Sequence, residues 1–274
     1  DWLKEAASFD QASTRAGNAG RLDYCRAVVA ELQGSLDSAG VFFEKALDAA
    51  ASSNNARVEL AILQGSAALE TSLGSYSKSL EHYLRAESLA AQTRNRTALA
   101  TIYHNLGALH QKLGDLESAI SFYQRSLAIR EQVDLRLQTG ETLSNLSELY
   151  LSVGDTASAL AYASRAEDIA RITVDSRSLG NALISRSRLL QLQSRHEQAM
   201  TLLDSVGTIS GGYLTIQRRF DLLCLKADFC RLSDQLDQAS MLLNRGDSLL
   251  DSCRTYSNSQ KLDIIRANIA SDRK

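Results

Sequence analysis

The sequence predicts an all-α fold, a right-handed α-solenoid of stacked antiparallel helix pairs. It divides into six full repeats with a half repeat at each end. Three observations carry this. A short pattern returns every forty residues, the apolar residues of each unit recur every three or four places, and the 274 residues contain no proline. Average usage would give roughly 14 prolines in a chain this long. Their absence favours helix, because an interior proline costs about 3 kcal/mol.

The repeat is clearest at its turns. "KLGDLESAISFY" surrounds Gly114, "SLGSYSKSLEHY" surrounds Gly74, "LQGSLDSAGVFF" surrounds Gly34 and "SVGDTASALAYA" surrounds Gly154. The next two steps fall on Ser194 and Asp234. Five residues after each turn comes a small side chain: Ala39, Ser79, Ala119, Ala159, Ala199 and Ala239. Four later comes the slot of Phe43, Tyr83, Tyr123, Ala163, Leu203 and Leu243. Three further on stand Ala46, Ala86, Ser126, Ala166, Val206 and Gly246.

Each unit reads as two helices. In the best-formed one, Leu99, Ile102, Tyr103, Leu106, Leu109 and Leu113 make one helical stripe. Leu116, Ile120, Tyr123 and Leu127 make the second. The glycine between them is a left-handed cap that alanine fills only at a cost. Asp115 and Asp155 then cap the second helix of their units. The small column lets two helices approach, and the large column fills the gap beside it. A helix pair alone exposes more apolar surface than it hides, so neighbours must stack.

The boundaries read as a half repeat over 1–19, repeats over 20–59, 60–99, 100–139, 140–179, 180–219 and 220–259, and a terminal helix over 260–274, all within one array. Asp1–Ser13 fits the second helix of an earlier unit, with Leu3 and Ala6 in its columns. Half units at both ends read as a chain cut from a longer array or closed by capping helices, and the start without methionine as a fragment or a processed chain. Candidate breaks lie at Ser52–Asn55, Thr93–Thr97, Thr173–Ser178 and Gly207–Tyr213, the last with three glycines.

Composition narrows function. Basic and acidic side chains number 30 and 32, a formal charge of −2. That argues against nucleic acid, whose binders carry a basic excess. No apolar run reaches membrane-spanning length. No phosphate-binding loop or zinc-protease spacing occurs. His104 and His110 share a helix but stand six apart, whereas metal pairs want three or four. No metal, cofactor or catalytic residue is assigned, and the chain reads as non-enzymatic. Cys25, Cys224, Cys230 and Cys253 contain no CxxC and read as buried free thiols, which suits a cytoplasmic setting. A disulfide between Cys230 and Cys253 stands as the alternative. The Asn95 and Asn145 sequons read as accidental, and Trp2 as a packing or capping residue.

"IYHNLGALHQKLGDLESAISFYQRSLAI", Ile102–Ile129, resembles the tetratricopeptide repeat, with its Asn-Leu-Gly, Leu-Gly-Asp, alanine and tyrosine signature. "LSNLSELYLSVGDTASALAYASRA", Leu143–Ala166, is similar. The forty-residue period resembles the longer-helix variants of kinesin light chain and the Pins-type adaptors. The family's usual proline is missing throughout, and Arg26, Arg186, Lys226 and Arg266 occupy a column that is usually leucine. Their stems are expected along the interface with the charges reaching water; an acidic partner on this row is the alternative.

The resemblance implies a concave groove lined by the first helix of each pair. It places Gln64, His104, Asn105, Gln111, Glu141, Asn145, Glu148, Asn181 and Arg188 there. That row is polar and nearly neutral, which argues against carboxylate-tailed chaperone peptides. Asn105 and Asn145 share one slot in adjacent units, and Asn181 lies one turn earlier in its own. An asparagine amide offers a donor and an acceptor to an extended peptide backbone; capping or cross-linking of neighbouring helices is the other reading. His104 would then titrate between about pH 5.5 and 7.5. The function implied is a protein–protein interaction module for an extended peptide or partner helix. The alternatives are a regulatory or sensor segment of a larger signalling or transcription protein, and a self-associating structural scaffold, a homo-oligomer.

Overall fold

The computed structural model describes residues 20–51, 55–209, 216–251, 268 and 270–272. Among them are twelve helices and no strand. The chain forms two compact units, Asp1–Leu135 and Arg136–Lys274.

The first unit holds α1 (Arg21–Leu32), α2 (Leu36–Ala51), α3 (Ala56–Ser72), α4 (Tyr76–Gln92), α5 (Arg96–Lys112) and α6 (Leu116–Gln132). Consecutive helices pair as α1 with α2, α3 with α4, and α5 with α6, and the pairs stack in chain order. One core spans α1–α3, with Ala27, Ala39, Phe43, Ala46, Ile62 and Leu69. The next spans α3–α5, with Leu63, Ala67, Tyr83, Ala86, Ile102 and Leu106. The second unit repeats the plan with α7 (Arg136–Ser152), α8 (Thr156–Thr173), α9 (Ser176–Leu192), α10 (His196–Ile209), α11 (Ile216–Leu232) and α12 (Leu236–Asp251). Its cores join Ala159, Ala163 and Leu189, then Leu183, Leu203, Leu222 and Phe229, then Phe220, Cys224, Ala227 and Leu243.

The columns read from the sequence are the packing surfaces. All six residues of the small column are 0% exposed. Where Ser79 replaces alanine, its hydroxyl donates to the Ala67 carbonyl at 2.8 Å, so the polar atom is buried with a partner. The glycine of Asn-Leu-Gly also has a steric cause. A Cβ on Gly107 would stand 2.9 Å from the Tyr123 ring, and one on Gly65 would stand 2.7 Å from Phe43.

The turns hold a finer period than the glycines suggest. Gly34, Gly74, Gly114 and Gly154 have positive φ, as expected, and so do Ser194 and Asp234. Arg94, Asp134 and Val174 have it too, halfway between them, at φ 53°, 54° and 54°. A left-handed residue therefore recurs at twenty-residue intervals from Gly74 to Ser194. The turn is the same in either direction. The Asp115 N–H returns to the His110 carbonyl at 3.0 Å, and that of Asn95 to Ala90 at 2.9 Å, which closes one helix in a Schellman motif. The same residue opens the next helix: the side chains of Asn95, Asp115, Asp155 and Asp175 each accept a first-turn N–H.

Thr93–Thr97 and Thr173–Ser178 hold these ordinary short turns rather than breaks. The first helices of the pairs begin at Ala56, Arg96, Arg136, Ser176 and Ile216. That is four residues before the boundaries at 60, 100, 140, 180 and 220. The half repeat over 1–19, the terminal helix apart from Asn268 and Ala270–Asp272, Trp2, Cys253, Arg266 and most of Gly207–Tyr213 lie outside the described residues.

Candidate functional site

In the first unit the candidate residues stand on α3 and α5. Asn105 is half-buried on α5. Its side chain stands near the hydroxyl of Tyr83 on α4, as does that of Thr71 on α3, and hydrogen bonding from both pulls the Tyr83 pKa down. Burial pushes the Tyr83 phenol up to about 12, against the pull of both bonds, so it stays protonated. Gln64 folds back on its own helix, its Nε2 donating to the Leu60 carbonyl at 3.2 Å. Gln111 accepts a long bond from the Tyr123 hydroxyl at 3.4 Å.

His104 departs from expectation. It is only 8% exposed, with its ring edge-on to Tyr123 at 5.1 Å. Arg130 on α6 reaches its Nδ1 at 3.3 Å. A guanidinium can only donate, so Nδ1 accepts and the neutral ring carries its proton on Nε2. Burial, then the Arg130 charge, hold its pKa down to about 3. The expected titration between pH 5.5 and 7.5 is therefore corrected. The cause is closure of Tyr123 and Arg130 over the ring, both on the neighbouring helix.

In the second unit, Asn145 and Asn181 are half-buried on α7 and α9, and Glu141 is exposed on α7. Glu148 and Arg188 pair with each other at 3.2 Å. The basic column is also satisfied from within. Arg186 bonds Glu167 of α8, which Arg171 holds from its other oxygen at 2.5 Å. Lys226 meets Asp204 of α10 at 2.6 Å. In the first unit Arg26 meets Asp23 at 3.0 Å. Arg26 and Arg186 keep 43% and 35% of their side chains exposed, as expected of charges that reach water, while Lys226 keeps 14%; each also pairs with a carboxylate of the chain. No spacing rule flags Glu167, because an acid nineteen residues before its arginine has no periodic signature.

The remaining chemistry-bearing side chains have structural partners. His110 Nδ1 lies 3.0 Å from the capping Asp115 and stacks on Phe122, while His196 Nδ1 lies 3.0 Å from Gln191. Cys224 and Cys230 are buried free thiols, and Cys25 is partly buried. Among the described residues, no three His, Cys, Asp or Glu converge to hold a metal ion. Nor is any of their helices long and apolar enough to cross a membrane.

Stacked pairs on these columns define an all-α helical-repeat protein. Residues 98–172 match the model of the family described as "Tetratricopeptide repeat", so the resemblance read from the sequence holds. No curated protein matches the chain. Among solved structures, BtubC (BKLC) from P. vanneervenii is 21% identical, with TM-score 0.65 over 76% of this chain and 86% of that one. A putative kinesin light chain with TPR-like repeats from Podosopora anserina is 17% identical, with TM-score 0.59 over 70% and 96%. The STAND protein PH0952 from Pyrococcus horikoshii, with a tetratricopeptide repeat sensor, is 11% identical, with TM-score 0.73 over 92% and 38%. These likenesses are of fold. The fold is one that commonly serves as a protein–protein interaction module.

Proposed function

We propose that this chain is a non-enzymatic interaction module that takes an extended peptide against the first helices of its pairs, with Asn105 and Asn145 each holding peptide backbone on its own unit. The observation that supports this is Asn105. It is half-buried in a neutral polar row, with its side chain near the Tyr83 hydroxyl. In this reading Gln64 and Gln111 belong to the same surface in the first unit, and Glu141, Glu148, Asn181 and Arg188 to that of Asn145 in the second. A cytoplasmic setting belongs to the same proposal and rests on the free thiols.

The test begins with a random-sequence peptide library displayed on phage and selected on the intact chain. Selected peptides should lose roughly 1–3 kcal/mol of affinity for each of Asn105→Ala and Asn145→Ala. Unchanged affinity in both variants, or no selected peptide, ends the peptide reading. A second reading, a sensor segment of a larger protein, draws support from the STAND protein, of whose length this chain covers 38%. Full-length sequence with an effector domain beside this segment would favour it.

A further inference from the structure

The first helices share one slot that is open to solvent in every pair, and its chemistry differs between the units. It holds Val28, Ala68 and Ala108 in the first unit, and Glu148, Arg188 and Asp228 in the second. All six are partly exposed, and the residue before each is buried. Asp228 is drawn toward Arg231 on its own helix, with Oδ1 3.7 Å from Nε. Glu148 and Arg188 instead meet across consecutive first helices, where Arg188 Nη1 donates to Glu148 Oε1 at 3.2 Å. Glu148 also stands three residues after Asn145, which puts both on one face of α7. A guanidinium has five N–H groups and a carboxylate two oxygens. One bond therefore leaves both groups able to bind a second partner. With 40% and 42% of their side chains exposed, Glu148 and Arg188 both keep contact with water.

That pair restricts what can be laid over it. An apolar side chain would strip its water and return nothing, a desolvation that opposes binding. A lone charge would attract one member and repel the other. A basic side chain over Glu148 with an acidic one over Arg188 replaces the lost water at both. In an extended peptide, side chains two residues apart share a face at a separation of about 7 Å, and long charged side chains converge from there onto two bonded groups. We propose that Glu148 and Arg188 are specificity-determining residues: on the second unit they select an extended peptide with a basic and an acidic side chain two residues apart, the basic one over Glu148 and the acidic one over Arg188. This rests on the peptide reading above and adds the class of peptide to it.

Phage-selected peptides whose affinity falls with Asn145→Ala are those bound on this unit. They should carry such a pair, and exchanging its two charges within the peptide should weaken binding to the wild-type chain about tenfold. A protein with both Glu148→Arg and Arg188→Glu keeps an ion pair in the slot with its sign reversed. It should melt like the wild type and prefer the exchanged peptide by about tenfold. Selected peptides without the pair, or charge order without effect on the wild type, overturn the selection, while sensitivity to Asn145→Ala keeps the peptide reading. A preference left unreversed in the folded double variant overturns it as well. If that variant does not fold, Glu148→Gln and Arg188→Gln decide: each should reduce the discrimination between the two peptides, and full discrimination in both overturns the proposal. Failure to select any peptide sensitive to Asn145→Ala overturns it together with the second-unit half of the peptide reading.

Discussion

Glu148 and Arg188, forty residues apart, hold one slot on α7 and α9 and join across 3.2 Å. In the first unit that slot carries Val28, Ala68 and Ala108, so periodic packing there becomes a charge pair here. Both side chains are about two-fifths exposed, at 40% and 42%. A double-mutant cycle with Glu148→Gln and Arg188→Gln should give a coupling of roughly 0.2–1 kcal/mol that fades with added salt. Coupling that stays constant to 1 M salt would show that the pair is less hydrated than its exposure implies.

Val174 offers a stabilising change. It sits at φ 54° and ψ 33° and is 85% exposed. A β-branched residue in the left-handed region is a genuine outlier. Val174→Gly should relieve about 1–2 kcal/mol of local strain and return part of that as backbone entropy, a net gain of roughly 0.5–1 kcal/mol. The urea midpoint should rise with an unchanged slope. A fall would mean that the exposed valine makes contacts worth more than its strain.

Ala119 and Ala159 test the helix-to-helix approach. Each is 0% exposed between paired helices. Ala119→Leu or Ala159→Leu should cost on the order of 1–3 kcal/mol by overpacking. Thermal melts of both variants measure it, and no change in either would refute the column alignment.

How much of this was legible follows from what carries a periodic mark. The small column was readable because a volume limit repeated every forty residues leaves the same residue types in the same slot. The turns after α4, α6 and α8 were not, because Arg94, Asp134 and Val174 take the glycine conformation without the glycine. Asn105 was singled out by spacing, but its nearness to the Tyr83 hydroxyl joins helices from different pairs. His104 looked open because its slot is open in related repeats. Only the positions of Tyr123 and Arg130 reveal that it is closed.

Acid should act through His104. Its native pKa of about 3 lies below the ordinary value of 6.5. The unfolded ring takes up a proton as pH falls through about 6.5, while the native ring stays neutral until about 3. Stability is therefore undiminished by this group above about 6.5 and declines across that window on acidification. The C2 proton resonance of His104 should stay fixed from pH 7.5 to about 5.5, where an exposed histidine would move. His104→Gln should flatten the acid slope of the melting temperature, and an unchanged slope would locate acid sensitivity elsewhere.

Asn95 ends α4 and begins α5 in the same few atoms, its side chain accepting from Ala98 at 3.0 Å. Asn95→Ala should cost about 1 kcal/mol. Asn95→Asp should cost less, because it keeps the acceptor and adds a negative charge at a helix N-terminus. Equal losses in a thermal melt would assign the effect to something other than the cap.

The twenty-residue recurrence of the left-handed turn governs what lengths of chain can be spliced here. One residue added within a helix swings every later side chain by about 100° around the axis, which carries a buried column to the surface. One added in a turn displaces the residue that both closes one helix and caps the next. Within α3–α6 and within α7–α10, then, neither helices nor turns can absorb an extra residue. Variants of this chain should gain or lose length in whole blocks.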